Sequence, residues 1–215
     1  MATNLNTGRT KRNNKNRTEQ KKTKRPQICN LSEVFDEHIR CEFEKHDVEA
    51  VMKTMVKEPY VHHVPVLTGG IGYLGVYNFY KYEFVNKMPE DAKFIRISRT
   101  VGRDQVVDEL ILRFTHDREI DPMLPRIPPT GKYVELPLVV IMKFKRGKIE
   151  HEHIYWDQAS LLVQVGLLDP QRLPASGIEQ SRMLLEIHRG IRSRGVGGDK
   201  ERLSKAISKF GMFGY

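Results

Sequence analysis

Between Gly147 and Gln158 the chain runs GKIEHEHIYWDQ, and as a strand this stretch has two faces of different chemistry. Side chains alternate along a strand, so His151, His153, Tyr155 and Asp157 share one face and Glu150, Glu152, Ile154 and Trp156 the other. Two imidazoles and a carboxylate in one register can move protons near neutral pH, and an imidazole or a phenol can hold a carbonyl oxygen. The expectation is that the His151, His153, Tyr155 and Asp157 face looks into an enclosed, mostly apolar hollow. Asp157 with His153 or His151 would then do the acid/base work, and Tyr155 would help orient the substrate. Plainer roles compete: Asp157 can cap the helix that follows, and the histidines can be hydrogen-bonded polar groups in a core. The HxH spacing also suits a metal ion, but no second cluster at ligand spacing supplies a third and fourth ligand. No metal and no other cofactor is expected.

Further candidates lie upstream. His63, in YVHHVP, and His116, ending FTH, lie on extended segments, and His62 would point the opposite way from His63. Asp108 and Glu109 are adjacent on a strand, so only one can face inward. Asp108 would share its face with Leu110, Leu112 and Phe114 and, once buried, would need a partner, with His151 and His153 among the possibilities. Tyr60, Tyr80 and Tyr155 could donate hydroxyls, although tyrosines more often pack.

The elements that must position these groups follow from local pattern. Asn30 with Glu33 fits a reciprocal helix cap, and Phe35, Ile39 and Phe43 recur at helical spacing. Asp47 can cap a second helix carrying Val48, Val51, Met52 and Met55, with Pro59 expected to end it. YVHHVP is a short extended piece, TGGIG (68–72) a loop, and YLGVYNFYKYEF an aromatic-rich helix. Strands are expected over 92–101, 106–116, 133–144 and 147–157, then a short helix over 158–166 and a peripheral helix over 177–192. Helices followed by an antiparallel meander make an α+β plan, with the sheet curled around the N-terminal helices.

That order of elements, with YVHHVP early, FTH ending a middle strand, and then PPTGKYVELPLVVIMKFKRGKIEHEHIYWDQASLLVQVGLL, resembles the SnoaL-like branch of the NTF2-like superfamily. The branch carries a Thr-His strand end, a Pro-Thr-Gly-Lys loop and a closing Gly-Lys-Ile strand leading to a Leu-Leu-x-Gln-Leu-Gly helix. The likeness covers roughly 31–168 and places His63 and His116 on histidine positions of the family, from which either could reach the family's pocket. It implies a cone-shaped α+β barrel with a deep apolar pocket, a homodimer formed through the outer sheet face, and metal-free acid/base ring closure of the polyketide cyclase type. Where many relatives have Glu and Trp on the closing strand, this chain has His151 and His153, which puts the substrate in question.

Bulk properties narrow the choice. In 215 residues the net charge is +9, but residues 1–25 hold nine Lys/Arg against Glu19 and residues 182–215 hold eight against three acids. The middle, 26–181, therefore carries 19 basic against 23 acidic residues, so no basic sheet face for reading phosphates is implied. Three regions are expected: a disordered basic tail at 1–29, a SnoaL/NTF2-like domain at 30–170, and a peripheral helical basic extension at 171–215, with a Gly-rich hinge at RGVGGD. The tail, with KKTKR, could make weak nucleic-acid or import-receptor contacts, giving a cytoplasmic or, through KKTKR, nuclear location. No membrane span or secretory leader is expected, and Cys29 and Cys41 are expected as reduced thiols.

The sequence thus points to cofactor-independent acid/base chemistry (a cyclase, isomerase or lyase) on a small apolar carbonyl or lactone compound. Two alternatives stand beside it. One is a non-catalytic dimeric ligand-binding or adaptor module; the other is a lactone hydrolase of the carboxymethylenebutenolidase type, for which the Gly-x-Ser/Cys-x-Gly nucleophile is missing.

Overall fold

The computed structural model describes residue 1 and residues 30–194. The basic tail of 2–29, the hinge from 195 and the expected basic helical piece at 199–210 lie outside the described residues. Asn30 opens α1 (Leu31–Phe43) as its sequence suggests. Its Oδ1 accepts from the Ser32 amide at 3.1 Å and its Nδ2 donates to Glu33 at 2.9 Å, which supplies partners at a helix start that has none of its own. The buried stripe of α1 is Phe35, His38, Cys41 and Glu42, so two of its four inward side chains are polar. Asp47 caps α2 (Val48–Thr54) by accepting from the Ala50 amide at 3.0 Å.

The chain passes from α2 straight into β1 (Met55–His63), so the expectation that Pro59 ends the helix is corrected. β2 (Thr68–Ile71) doubles back on β1 where a loop was expected. Gly69 makes that possible: its φ is +130°, and a Cβ there would lie 2.0 Å from the Val61 carbonyl oxygen. Next come α3 (Gly72–Asn78), continuing as a π-helical turn over Phe79–Phe84, and the long strands β3 (Lys93–Val101), β4 (Gln105–Thr115), β5 (Tyr133–Lys145) and β6 (Lys148–Trp156). The helices α4 (Gln158–Gln164) and α5 (Glu179–Arg194) follow.

The six strands form one sheet in the order β2-β1-β6-β5-β4-β3, which is not closed. The expected sheet was purely antiparallel; the observed one is mixed, because β1 runs parallel to β6. Pro59 falls at the register shift between Met55 and Tyr60 in that pairing, a place where a strand tolerates a residue without an N–H.

One face of the sheet carries Val106, Leu110, Leu112 and Phe114 of β4 with Val134, Leu136, Leu138, Val140 and Met142 of β5, and these pack with Phe35, Val51 and Phe79 of the helical layer. The opposite face is shared unequally. α5 lays Leu184 and Leu185 over Ile95, Ile97 and Ile111, and its Ser181 hydroxyl donates to the Glu135 carbonyl at 2.7 Å. No described helix is long and apolar enough to cross a membrane.

Candidate functional site

β6 does not follow simple alternation, and this decides which residues face the hollow. Ile149 pairs with Phe144 and His151 with Lys143, leaving Glu150 as an extra residue. Ile149 is fully buried, as an apolar residue on the inner face should be, but the inserted residue reverses the parity after it. Glu152, Ile154 and Trp156 therefore point inward, while His151, His153 and Tyr155 point outward. The expectation of an inward imidazole face is corrected by this bulge.

The inward Glu152 meets a sealed polar cluster. His38 Nε2 lies 2.8 Å from Glu152 Oε1 and 3.1 Å from Glu42 Oε1, and none of the three is more than about one-twentieth exposed. The π-helical turn brings in Tyr80, whose hydroxyl donates to Glu152 Oε1 at 3.1 Å and lies 3.1 Å from His38 Nε2. On the other side of the ring, Thr54 gives its hydroxyl proton to the Val51 carbonyl at 2.6 Å. It must therefore accept from His38 Nδ1, 2.6 Å away. The ring is thus held as a donor on Nδ1 and faces the carboxylates with Nε2.

Burial alone would lower the His38 pKa, but the charges of Glu152 and Glu42 and the hydrogen bonds to them outweigh it and push it up to about 10. Burial moves Glu42 the opposite way to His38's influence and leaves its carboxyl raised. The Tyr80 hydroxyl is raised too, by burial and then by the two negative neighbours. The His38, Glu42 and Glu152 donor atoms lie within 4.8 Å of one another, a spacing that could also hold a cation. A metal would require His38 to shed its Nε2 proton, which the two carboxylates oppose.

A cavity of about 50 Å³ opens beside this cluster. Apolar side chains make most of its wall, among them Val61, Phe79, Met88, Leu112, Leu138 and Trp156, and the polar exceptions are Glu42, Tyr80, Glu152 and His63. Ile39, Phe43, Phe84 and Phe94, half-buried, complete the wall. His63 reaches the cavity as its sequence position suggests. Its Nδ1 lies 3.0 Å from the Pro122 carbonyl oxygen and so carries the proton, leaving Nε2 as an acceptor. Burial lowers its pKa to about 4, although the Pro122 bond opposes this, so the ring is neutral at pH 7.

The remaining sequence candidates fall elsewhere. Asp157 is exposed at the start of α4, accepting from the Ala159 and Ser160 amides at 2.9 and 3.3 Å and from Gln180 at 2.6 Å. Tyr60 stands with His151 on the outer face, their rings stacked at 4.5 Å. Asp108 does face inward with Leu110 and Leu112 and is fully buried, but its partner is not a histidine. Arg99 forks onto it with contacts of 2.5 and 2.7 Å, and Arg96 adds a third at 3.1 Å. Glu109 points outward, where Ser98 donates to it at 3.0 Å. His116 is buried against Thr130, away from the cavity wall. His38, Glu42 and Glu152 were not singled out from sequence. Their signal was a titratable pair at i, i+4 within the inward stripe of α1, beside Phe35.

This fold and inward polar cluster on an open mixed sheet define a class, and sequence comparison agrees. The SnoaL-like polyketide cyclase family profile matches residues 35–165, more than half of the chain, and the protein belongs to that family. No curated protein matches its sequence. Among solved structures, a protein described as a SnoaL-like polyketide cyclase, from Jannaschia sp. CCS1, superposes with a TM-score of 0.52 at 15% identity, covering 64% of this chain and 94% of its own. A protein described as a polyketide cyclase, from Acidithiobacillus ferrooxidans, gives 0.52 at 19% identity over 65% and 96%. An NTF2-like protein of unknown function from Burkholderia pseudomallei gives 0.50 at 13% over 63% and 97%. At these identities the likeness establishes the NTF2-like fold.

Proposed function

We propose that the protein is a cofactor-independent acid/base enzyme, a cyclase, isomerase or lyase, acting on a small apolar carbonyl or lactone compound at the Glu42–His38–Glu152 cluster. The observation that carries this is the make-up of the cavity wall: apolar throughout except for two carboxyls, a phenol and a neutral imidazole. Glu42 is the proton-transfer group, because burial moves its pKa upward toward the range in which a carboxyl can both take and return a proton. His38, held between the two carboxylates, and Glu152, which accepts from Tyr80, fix the charge around it. His63 offers Nε2 to a substrate hydroxyl, its tautomer set by Pro122. Removal of a proton beside a carbonyl by Glu42, with its return at another atom, covers both isomerisation and intramolecular aldol closure.

The test needs no knowledge of the natural substrate. Small apolar ketones and lactones incubated with the protein in D2O should exchange their α-protons faster than without it, as followed by NMR. Glu42→Gln should reduce that exchange at least about a hundredfold, within the range for loss of a general base, while His153→Ala and Asp157→Asn leave it unchanged. No exchange by the natural protein over the whole panel refutes the carbonyl reading.

The non-catalytic module has one observation in its favour. The cavity is far below the roughly 300 Å³ at which ligand sites usually begin. On that reading the cluster is a structural ion group, and Glu42→Gln alters stability alone.

A further inference from the structure

The outer face of β6 and β1 carries a second group of histidines that the proposed reaction does not use. β1 and β6 run parallel with Tyr60 opposite His151 and His62 opposite His153, so four rings are brought together on one surface. His151 and His153 have ring centres 4.7 Å apart, and His62 and His153 6.4 Å apart. All three imidazoles are half-buried, and none makes a hydrogen bond among the described residues. Tyr60 stacks on His151 at 4.5 Å and limits that ring's rotation.

We propose that His62, His151 and His153 form a binding site for a divalent transition-metal ion, of the zinc or copper class, on the open face of the sheet. Two histidines at i, i+2 on one strand and a third on the neighbouring strand can offer three ring nitrogens to one side of an ion. These rings supply no fourth ligand, so that position is left to water, the arrangement of an exchangeable rather than a closed site. With metal–nitrogen bonds of about 2.0 Å and tetrahedral angles, imidazole centres around one ion stand roughly 5 Å apart. The His151–His153 separation fits that value and the His62–His153 separation exceeds it, so His62 has to turn toward the pair to complete the set. Among the described residues no hydrogen bond of that ring has to be broken. All-imidazole ligation selects zinc and copper over magnesium or calcium, which prefer oxygen.

Two of the rings are also biased toward the form that binds a metal. Burial and then the His153 charge lower the pKa of His151, and burial and then His62 lower that of His153. Lys143, the β5 partner of His151, acts in the same direction, and Glu150 and Glu152 act against it. Neutral imidazoles need give up no proton to a metal.

Titration of the full-length protein with Zn2+ by calorimetry, and with Cu2+ followed by electron paramagnetic resonance, tests the site. One ion per chain is expected, with a spectrum showing three imidazole nitrogens. His153→Ala should weaken Zn2+ binding at least about tenfold, and His62→Ala should leave two nitrogens on copper. Residues 1–29 and 195–215 contain no histidine, so the tails cannot mimic this signature. Absence of binding overturns the proposal. So does binding that survives in both variants but vanishes in Glu152→Gln, which would place the ion at the buried cluster instead.

Discussion

The two faces of β6 set imidazoles and carboxyls within one strand's thickness of each other, yet their environments drive them in opposite directions. Inside, Glu152 binds His38 and Tyr80 in a sealed cluster; outside, His151 stacks on Tyr60 and His153 lies tilted against both. His38 is fully buried, and two carboxylates still hold it protonated. His63, equally enclosed but with only a carbonyl for its Nδ1, is held neutral. The outer histidines are also driven toward neutrality, by partial burial and by one another. The partner, more than the depth of burial, decides what an imidazole can do here.

The most severe way to break this comparison is to remove the inner carboxylate. Glu152→Ala leaves an imidazolium buried beside Glu42 with one counter-charge lost and one acceptor of the Tyr80 hydroxyl removed, and should destabilise the fold by about 3–5 kcal/mol. His153→Ala, one residue away on the outer face, should stay within about 0.5 kcal/mol. Urea unfolding of the two variants measures both. Similar losses would mean that the faces are not distinct in the way argued.

The pH dependence of stability sharpens the contrast. His38 has a folded pKa of about 10 against about 6.5 unfolded, so its contribution is complete below about pH 6.5 and is lost as pH rises toward 10. His63 has a folded pKa of about 4, so the unfolded chain takes up a proton first, and stability falls as pH drops from about 6.5 to 4. Thermal melting should therefore show losses on both sides. His38→Gln should flatten the alkaline limb, and His63→Gln the acid limb. Unchanged limbs in both variants would separate these rings from the pH response.

A smaller effect probes how the ring is oriented. Thr54→Val keeps the shape of the side chain but removes the acceptor for His38 Nδ1–H, leaving a buried donor unsatisfied at a cost of about 1–3 kcal/mol. Thr54→Ser, which keeps the hydroxyl, should recover most of this. Equal losses in Val and Ser would show that the hydroxyl's bond to His38 does not set the cost and would overturn this reading.

Much of this was legible in the chain itself. The helix starts at Asn30 and Asp47, the four long strands and the terminal helix all follow from caps and alternation, whereas alternation alone did not choose between Asp108 and Glu109 for the inward place. His63 at the cavity was legible as well. The facing of β6 was not, because its parity turns on one extra residue at Glu150, and no residue type there announces a bulge. Nor was the site's centre. His38 and Glu42 come from α1, Tyr80 from a π-helical turn and Glu152 from β6, three stretches that only the fold brings into contact. Pro59 misled for a related reason: it marks an irregular point in a strand as readily as the end of a helix.

The smallest effect bears on the residue the sequence favoured most. Asp157 is exposed and uses its carboxyl to accept from the first amides of α4 and from Gln180, so its work is that of a helix cap. Asn caps about as well as Asp, whereas Ala does not cap at all. Asp157→Ala should therefore cost about 1 kcal/mol, and Asp157→Asn a few tenths, with α-proton exchange unchanged in both. A catalytic carboxylate would give the reverse pattern, since Asn would preserve the helix and abolish turnover. The two variants, assayed side by side for melting temperature and exchange rate, separate a residue that anchors the closing helix from one that handles protons.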